Sequence, residues 1–199
     1  MERWLALELA STIRHDGDGG VADDLATVDG VTRWTHAQEG LLPAHVRAGE
    51  LTADDDLRGE VAELRRAVRA LFARAVSPAP PSPADADHLM PADKALAHLN
   101  AIAAGQLVAL QLEWPHEGTP AARLLTEERN QHVNLLAALA RAAIDFLSGP
   151  QRERLRACTA PRCVRYFVQS HGRQEWCKAS CGNRARAARH YKRHRVAGA

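Results

Sequence analysis

The sequence predicts a mainly α chain with a small β component. A helical domain occupies residues 1–150, and a small basic module of β-hairpin and helix occupies residues 151–199. Three observations carry this reading. Apolar residues recur at three- and four-residue spacing through much of the first 150 positions, the period of amphipathic helices. All four cysteines, Cys158, Cys163, Cys177 and Cys181, fall in the C-terminal module. The charge also divides there: residues 151–199 hold 13 Lys and Arg against 2 acids, a net +11, while residues 1–150 hold 13 against 22, a net −9.

Taken in order, Trp4, Leu5, Leu9 and Ile13 place an apolar face on a helix over residues 2–14. HDGDGG at 15–20 reads as a solvated turn, since it lacks both the following carboxylate of a calcium loop and the GK[ST] of a phosphate loop. Thr27 is placed to cap a helix reaching about Gln38, with Val31 and Trp34 inward. Asp54, Asp55 and Asp56 suit the first turn of a long helix ending near Val76. Leu57, Val61, Leu64, Val68, Leu71 and Phe72 stripe that helix. Arg65, Arg66 and Arg69 lie off the stripe and are expected in solvent. Five prolines in 77–91 make a semi-rigid loop. A helix over 92–104 buries Leu96, Leu99 and Ile102. Val108, Leu110, Leu112 and Trp114 then alternate as in a strand or hairpin arm. A second strong helix runs from Asn130 to Leu147. Pro150 can open a short helix, PQRERLRA, that delivers the chain to Cys158.

No apolar stretch approaches the ~20 residues of a membrane span, and no secretory leader is visible, so the expected location is cytoplasmic. In that reducing setting, clustered cysteines serve as metal ligands or reactive thiols more often than as disulfides. Two short-spaced pairs, Cys158/Cys163 and Cys177/Cys181, suit one Zn²⁺, whose closed Cys₄ sites are structural and leave no open catalytic position. The thirteen residues between the pairs must fold back. VRYFV and RQEWC are rich in β-formers around a turn-like SHG, so a hairpin between them is expected. Gly182 allows close backbone approach, and Asn183 is a candidate cap for a last helix running to about His194. Knuckle, hairpin and helix together resemble a treble clef. A zinc site that also senses redox state fits the same residues.

The last helix presents Arg186, Arg189 and Arg193 along one side. Arg184, Lys192 and Arg195 widen the basic surface, with Ala188 and Tyr191 expected to pack back on the module. His190 and His194 stand four apart, but four cysteines already close a tetrahedral site. A cationic helix with few acids is an electrostatic footprint for nucleic acid, and an acidic protein surface is the competing partner. No Ser/His/Asp arrangement, phosphate loop or open metal site supports an enzyme.

The residues W-C-x₃-C-G-N-R at 176–184, with the C-x₄-C pair before them, resemble the CGNR zinc-finger family of bacterial proteins. In that family a helical N-terminal domain called ABATE precedes the finger. LALEL near the start, DDLAT at 23–27 and Trp34 resemble that domain, with Glu8 and Ser11 where the family pattern has Asp and Asn, and Gln169 where the finger has an acid. The resemblance implies a stress-associated transcription regulator. Its finger would bind duplex DNA, and its front domain would sense a small ligand or contact a protein partner. A zinc-stabilised module for protein or RNA, without sequence-specific DNA binding, is the other reading.

Overall fold

The computed structural model describes residues 3–17, 20–85 and 89–197, and of residues 192 and 194–197 the backbone only. The elements are α1 (Leu5–Ala10), β1 (Ile13–His15), β2 (Val21–Asp23), α2 (Val28–Ala37), α3 (Asp55–Val76), α4 (Ala92–Ala104), β3 (Ala109–Glu113), β4 (Ala121–Leu125), α5 (Gln131–Ser148), β5 (Leu155–Ala157), β6 (Tyr166–Val168) and α6 (Ala179–Ala197). The strands form three separate antiparallel pairs, β1–β2, β3–β4 and β5–β6. The chain is mainly helical, as its periodicity predicts, and none of its described helices is long and apolar enough to cross a membrane.

Helix starts follow the expected chemistry. The Thr27 hydroxyl accepts from the Gly30 N–H at 3.0 Å, Asp54 accepts from Leu57 N–H at 2.8 Å, and Asn130 accepts from His132 N–H at 2.9 Å. Each side chain satisfies a backbone donor that a helix start leaves unpaired. The stripe of α3 is buried from Leu57 to Val76, and α1, α4 and α5 pack around it. Phe72 and Phe146 are fully buried with ring centroids 5.1 Å apart, and Trp4 meets the edge of Phe146 at 6.0 Å.

Two arginines depart from expectation. Arg65 and Arg69 are 5% and 3% exposed, not solvated. They stand one turn apart on α3 and face the end of α1. Arg65 grips both carboxylate oxygens of Asp23, at 2.5 and 2.7 Å, and donates to the Thr12 hydroxyl at 3.0 Å. Burial works against ionisation of Asp23, but the Arg65 guanidinium and the Leu25 N–H outweigh it and hold that carboxyl below its ordinary range. Arg69 donates to the last carbonyl of α1, on Ala10, at 2.6 Å and to both oxygens of Asp85 at 2.7 and 3.0 Å. These contacts also explain why α1 is shorter than residues 2–14. Its C-terminal carbonyl is taken by a guanidinium, and Thr12 turns the chain into β1.

Asp85 lies in the proline-rich loop, which is therefore pinned at Ser82 and Asp85. Its carboxylate also accepts from the Tyr166 hydroxyl at 2.8 Å, while Ser82 Oγ donates to the Val164 carbonyl at 2.9 Å. Arg69 reaches the same carbonyl at 3.2 Å. Burial, and then the nearby Asp85 charge, pushes the Tyr166 phenol well above its ordinary value. Leu155 and Tyr166 belong to the same apolar core as α1, α3 and α5, so β5 and β6 pack directly on the helical body.

Two local expectations in the C-terminal module change. The PQRERLRA stretch is a 3₁₀ turn, Pro150–Arg154, followed by β5 rather than by more helix. The hairpin forms between β5 and β6, with Leu155 opposite Val168, Arg156 opposite Phe167 and Ala157 opposite Tyr166. RQEWC forms no strand. Gln174 occupies the would-be ladder: its side chain accepts from Ser170 N–H at 2.7 Å and donates to Trp176 O at 3.0 Å, while Gln169 donates to Gln174 O at 2.8 Å. Amide side chains close this turn in place of a second strand.

The β3–β4 arm matches the alternation in its sequence. Leu110, Leu112 and Trp114 share a face and are 75%, 65% and 67% exposed, while Glu113 and Arg123 pair at 2.7 Å on the other face.

Removing one partner of a buried ion pair leaves the other charge uncompensated, which costs roughly 3–5 kcal/mol. Asp85→Ala should therefore lower the urea-unfolding free energy by about that amount. Arg3→Ala, which removes the exposed pair with Glu8, should cost below about 1 kcal/mol.

Candidate metal centre and nucleic-acid face

The four cysteine sulfurs converge, all lying within 4.8 Å of one another. Cys163 Sγ is 3.7 Å from Cys177 Sγ, which is 3.5 Å from Cys181 Sγ. Four sulfurs at ~2.3 Å from one tetrahedral Zn²⁺ stand about 3.8 Å apart, so the spacing fits that ion. No disulfide joins them, and Cys158, Cys163 and Cys181 are buried.

Local structure sets each sulfur. The first pair sits on the loop between β5 and β6. There Cys158 N–H donates to Arg165 O at 2.9 Å and Cys163 N–H to Ala160 O at 3.0 Å. Arg162 adopts a left-handed backbone, φ 65°, to turn the chain between them. The second pair spans the start of α6. Cys177 precedes the helix, its N–H directed at Cys158 Sγ at 3.5 Å, and Cys181 lies in the first turn with its N–H on Lys178 O at 3.1 Å. A Cβ on Gly182 would sit 3.0 Å from the Trp176 ring, so a larger residue there requires the indole to shift. Asn183 is inside α6 rather than at its cap, and its side chain accepts from Arg186 at 2.6 Å. The helix begins four residues earlier than expected because Cys181 is drawn into its first turn.

The electrostatics of the cluster favour a cation. Hydrogen bonds from Cys163 and then Cys177 pull the Cys158 thiol far below its ordinary value. The same hydrogen bonds, given by Cys163 and Cys177 toward Cys158, push their own thiols up, and burial adds to it. The packed thiols thus stabilise one thiolate and resist the next. A divalent ion removes that resistance.

The basic residues divide into groups. Arg184 is half-buried and donates to Cys181 Sγ at 3.3 Å, an outer contact on a ligand-type sulfur. Arg186 and Arg189 lie over the Trp176 ring, 5.9 and 5.4 Å from its centroid. Arg189 also approaches Glu175 at 3.8 Å. Arg193 is exposed. The side chains of Lys192, His194 and Arg195 lie outside the described residues. Ala188 is exposed and Tyr191 is 71% exposed, not packed back on the module. Beyond Ala185, which is buried beside the cysteines, every described side chain of α6 is exposed. Sequence reasoning missed the role of Trp176 as a platform for two arginines. Its signal was an indole directly before Cys177 with arginines one and two helical turns beyond Gly182.

Known families match in two adjoining stretches. Residues 4–150 match the ABATE family, described as "Putative stress-induced transcription regulator". The chain belongs to the ABATE family. Residues 154–194 match the CGNR zinc finger. No curated protein matches the chain. The converging cysteines lie within the CGNR finger, and the cofactor of this ABATE protein is Zn²⁺. Neither family is one of enzymes.

Zinc uptake by thiols held protonated releases protons, so apparent affinity should fall steadily as pH drops. Competition with a chromophoric chelator between pH 8 and 6 measures this, and a pH-independent affinity would contradict the thiol cluster as donor set. One zinc per chain is expected by elemental analysis, with loss of the metal in Cys177→Ser.

Proposed function

We propose that this ABATE protein is a cytoplasmic, zinc-dependent DNA-binding regulator. Cys158, Cys163, Cys177 and Cys181 hold one Zn²⁺. The ion is structural: four sulfurs fill its coordination and leave no position for substrate. Its work is to tie the β5–β6 loop to the first turn of α6, which gives the basic helix a fixed exit direction. Arg186, Arg189 and Arg193 then face the phosphates of duplex DNA, with Lys192 and Arg195 adding charge, and Arg184 reaches the backbone only if it leaves Cys181. The observation that carries this reading is the Trp176 platform. An indole under Arg186 and Arg189 restrains two long side chains before any partner arrives, so less rotamer entropy is lost on binding. The net charge of +11 over residues 151–199 supplies the attraction.

The ABATE domain acts as the sensing or contact domain. The Arg69 contacts to Asp85 and to the Val164 carbonyl give it a physical route to the finger, because Val164 follows Cys163 directly.

Fluorescence anisotropy on mixed-sequence duplex DNA tests the assignment. Binding should weaken steeply with salt, and Gln at positions 186, 189 and 193 together should flatten the log–log slope by about 3. Absence of duplex binding at 50 mM salt, or an unchanged slope, sinks it. Tighter binding to single-stranded RNA than to duplex would favour the RNA reading.

A further inference from the structure

Away from the finger, the Arg141 guanidinium carries buried nitrogens without partners. Arg141 on α5 donates through Nη2 to Gln106 Oε1. Its Nε and Nη1 are shut off from solvent with no hydrogen-bond partner. Asp145, one turn along the helix, acts on it only at longer range, and burial holds the guanidinium below its ordinary value. The 3₁₀ turn Ala44–Val46 packs against α5 and brings His45, whose Nε2 is also buried and unpartnered. Burial, and then the Arg141 charge, keeps that imidazole below its usual range.

The guanidinium is nevertheless held in place. Gln106 and Asn134 are 3% and 1% exposed; Gln106 donates to Asn134 Oδ1, and Asn134 donates to Glu128 O at 3.3 Å. This relay orients Arg141 through one nitrogen and leaves the other two buried and unpaired. Donors removed from water without an acceptor cost free energy, and so does an uncompensated charge. A neutral acceptor would satisfy the hydrogen bonds and leave the charge. A cation would be repelled. An oxyanion answers both deficits, and planar guanidinium is the side chain best matched to carboxylate and phosphate oxygens.

We infer that Arg141, with His45 beside it, binds a compact oxyanion, either a small carboxylate or a phosphate group. The site lies at the root of the β3–β4 arm. Gln106 directly precedes Leu107, whose carbonyl accepts from the Thr126 hydroxyl at 3.1 Å, and Glu128 closes the other foot. A bound anion therefore fixes the residue that orients it and, through that residue, the arm's two feet. The assignment is independent of what the finger binds.

Thermal unfolding of the zinc-loaded full-length protein tests it, in sodium phosphate, sodium acetate and sodium chloride at equal ionic strength. The background is the Arg186→Gln, Arg189→Gln, Arg193→Gln variant, which weakens phosphate binding at the finger. At tenfold excess over its dissociation constant, phosphate or acetate should raise Tm by about 3–6 °C relative to chloride. Arg141→Gln should abolish the rise. Equal Tm in all three salts, or a rise that survives Arg141→Gln, overturns the inference. If that variant does not fold, the Arg141 Nε–Hε NMR resonance of the unmutated chain decides. A saturable shift with acetate or phosphate supports the site, and an unmoved resonance refutes it.

Discussion

The guanidinium of Arg69 is the joint on which the architecture depends. It is 3% exposed and makes hydrogen bonds to four residues on three separate pieces of chain: the end of α1, Ser82 and Asp85 in the proline-rich loop, and the Val164 carbonyl beside the first cysteine pair. A cation this deeply buried is tolerable only with every partner present. The requirement fixes where α1 stops, pins the proline-rich loop at Ser82 and Asp85, and seats the finger's hairpin on the body. Tyr166 completes the arrangement, its hydroxyl on Asp85 and its ring 5.3 Å from the Arg69 carbon.

The metal site solves a different problem with the same logic. Four thiols packed within van der Waals reach cannot all ionise without a counter-charge, and the opposed shifts of Cys158 and Cys163 express that conflict. A zinc ion held by these sulfurs would resolve it and tie two chain segments together. The hairpin side of the knot is anchored in the apolar core, whereas among the described residues the α6 side carries Ala185 and Cys181 into a small separate cluster. An ion held by the four sulfurs would add a further bond between α6 and the rest of the chain.

The cysteine pairs were legible because metal chemistry restricts both residue type and spacing, and the long helices were legible because burial on one face imposes a period. Of the hairpin strands only one was: VRYFV supplies β6, but its partner is β5 and not RQEWC. VRYFV and RQEWC have similar β-propensity, and only tertiary contacts decide between them: Leu155 and Tyr166 enter the core, while Gln174 spends its amide on local turns. Arg65 and Arg69 were misplaced for a related reason. Their partners Asp23 and Asp85 lie 42 and 16 residues away, and no local pattern connects them. The visible hint was the four-residue spacing of two arginines inside an otherwise buried stretch. The restraint on α6 by Trp176 was equally hidden, since an indole before a cysteine reads locally as β-former.

The family matches divide between residues 150 and 154, yet the apolar core runs on to Val168. The boundary between recognisable sequences is therefore not a boundary in the packing. A finger moved alone onto another ABATE body would carry Tyr166 and the Val164 carbonyl away from the arginine, serine and aspartate that answer them. Such modules are exchangeable only as matched sets. In chains of this design, the identities of positions 69, 82, 85 and 166 should be inherited together, although no three of them are neighbours in the sequence.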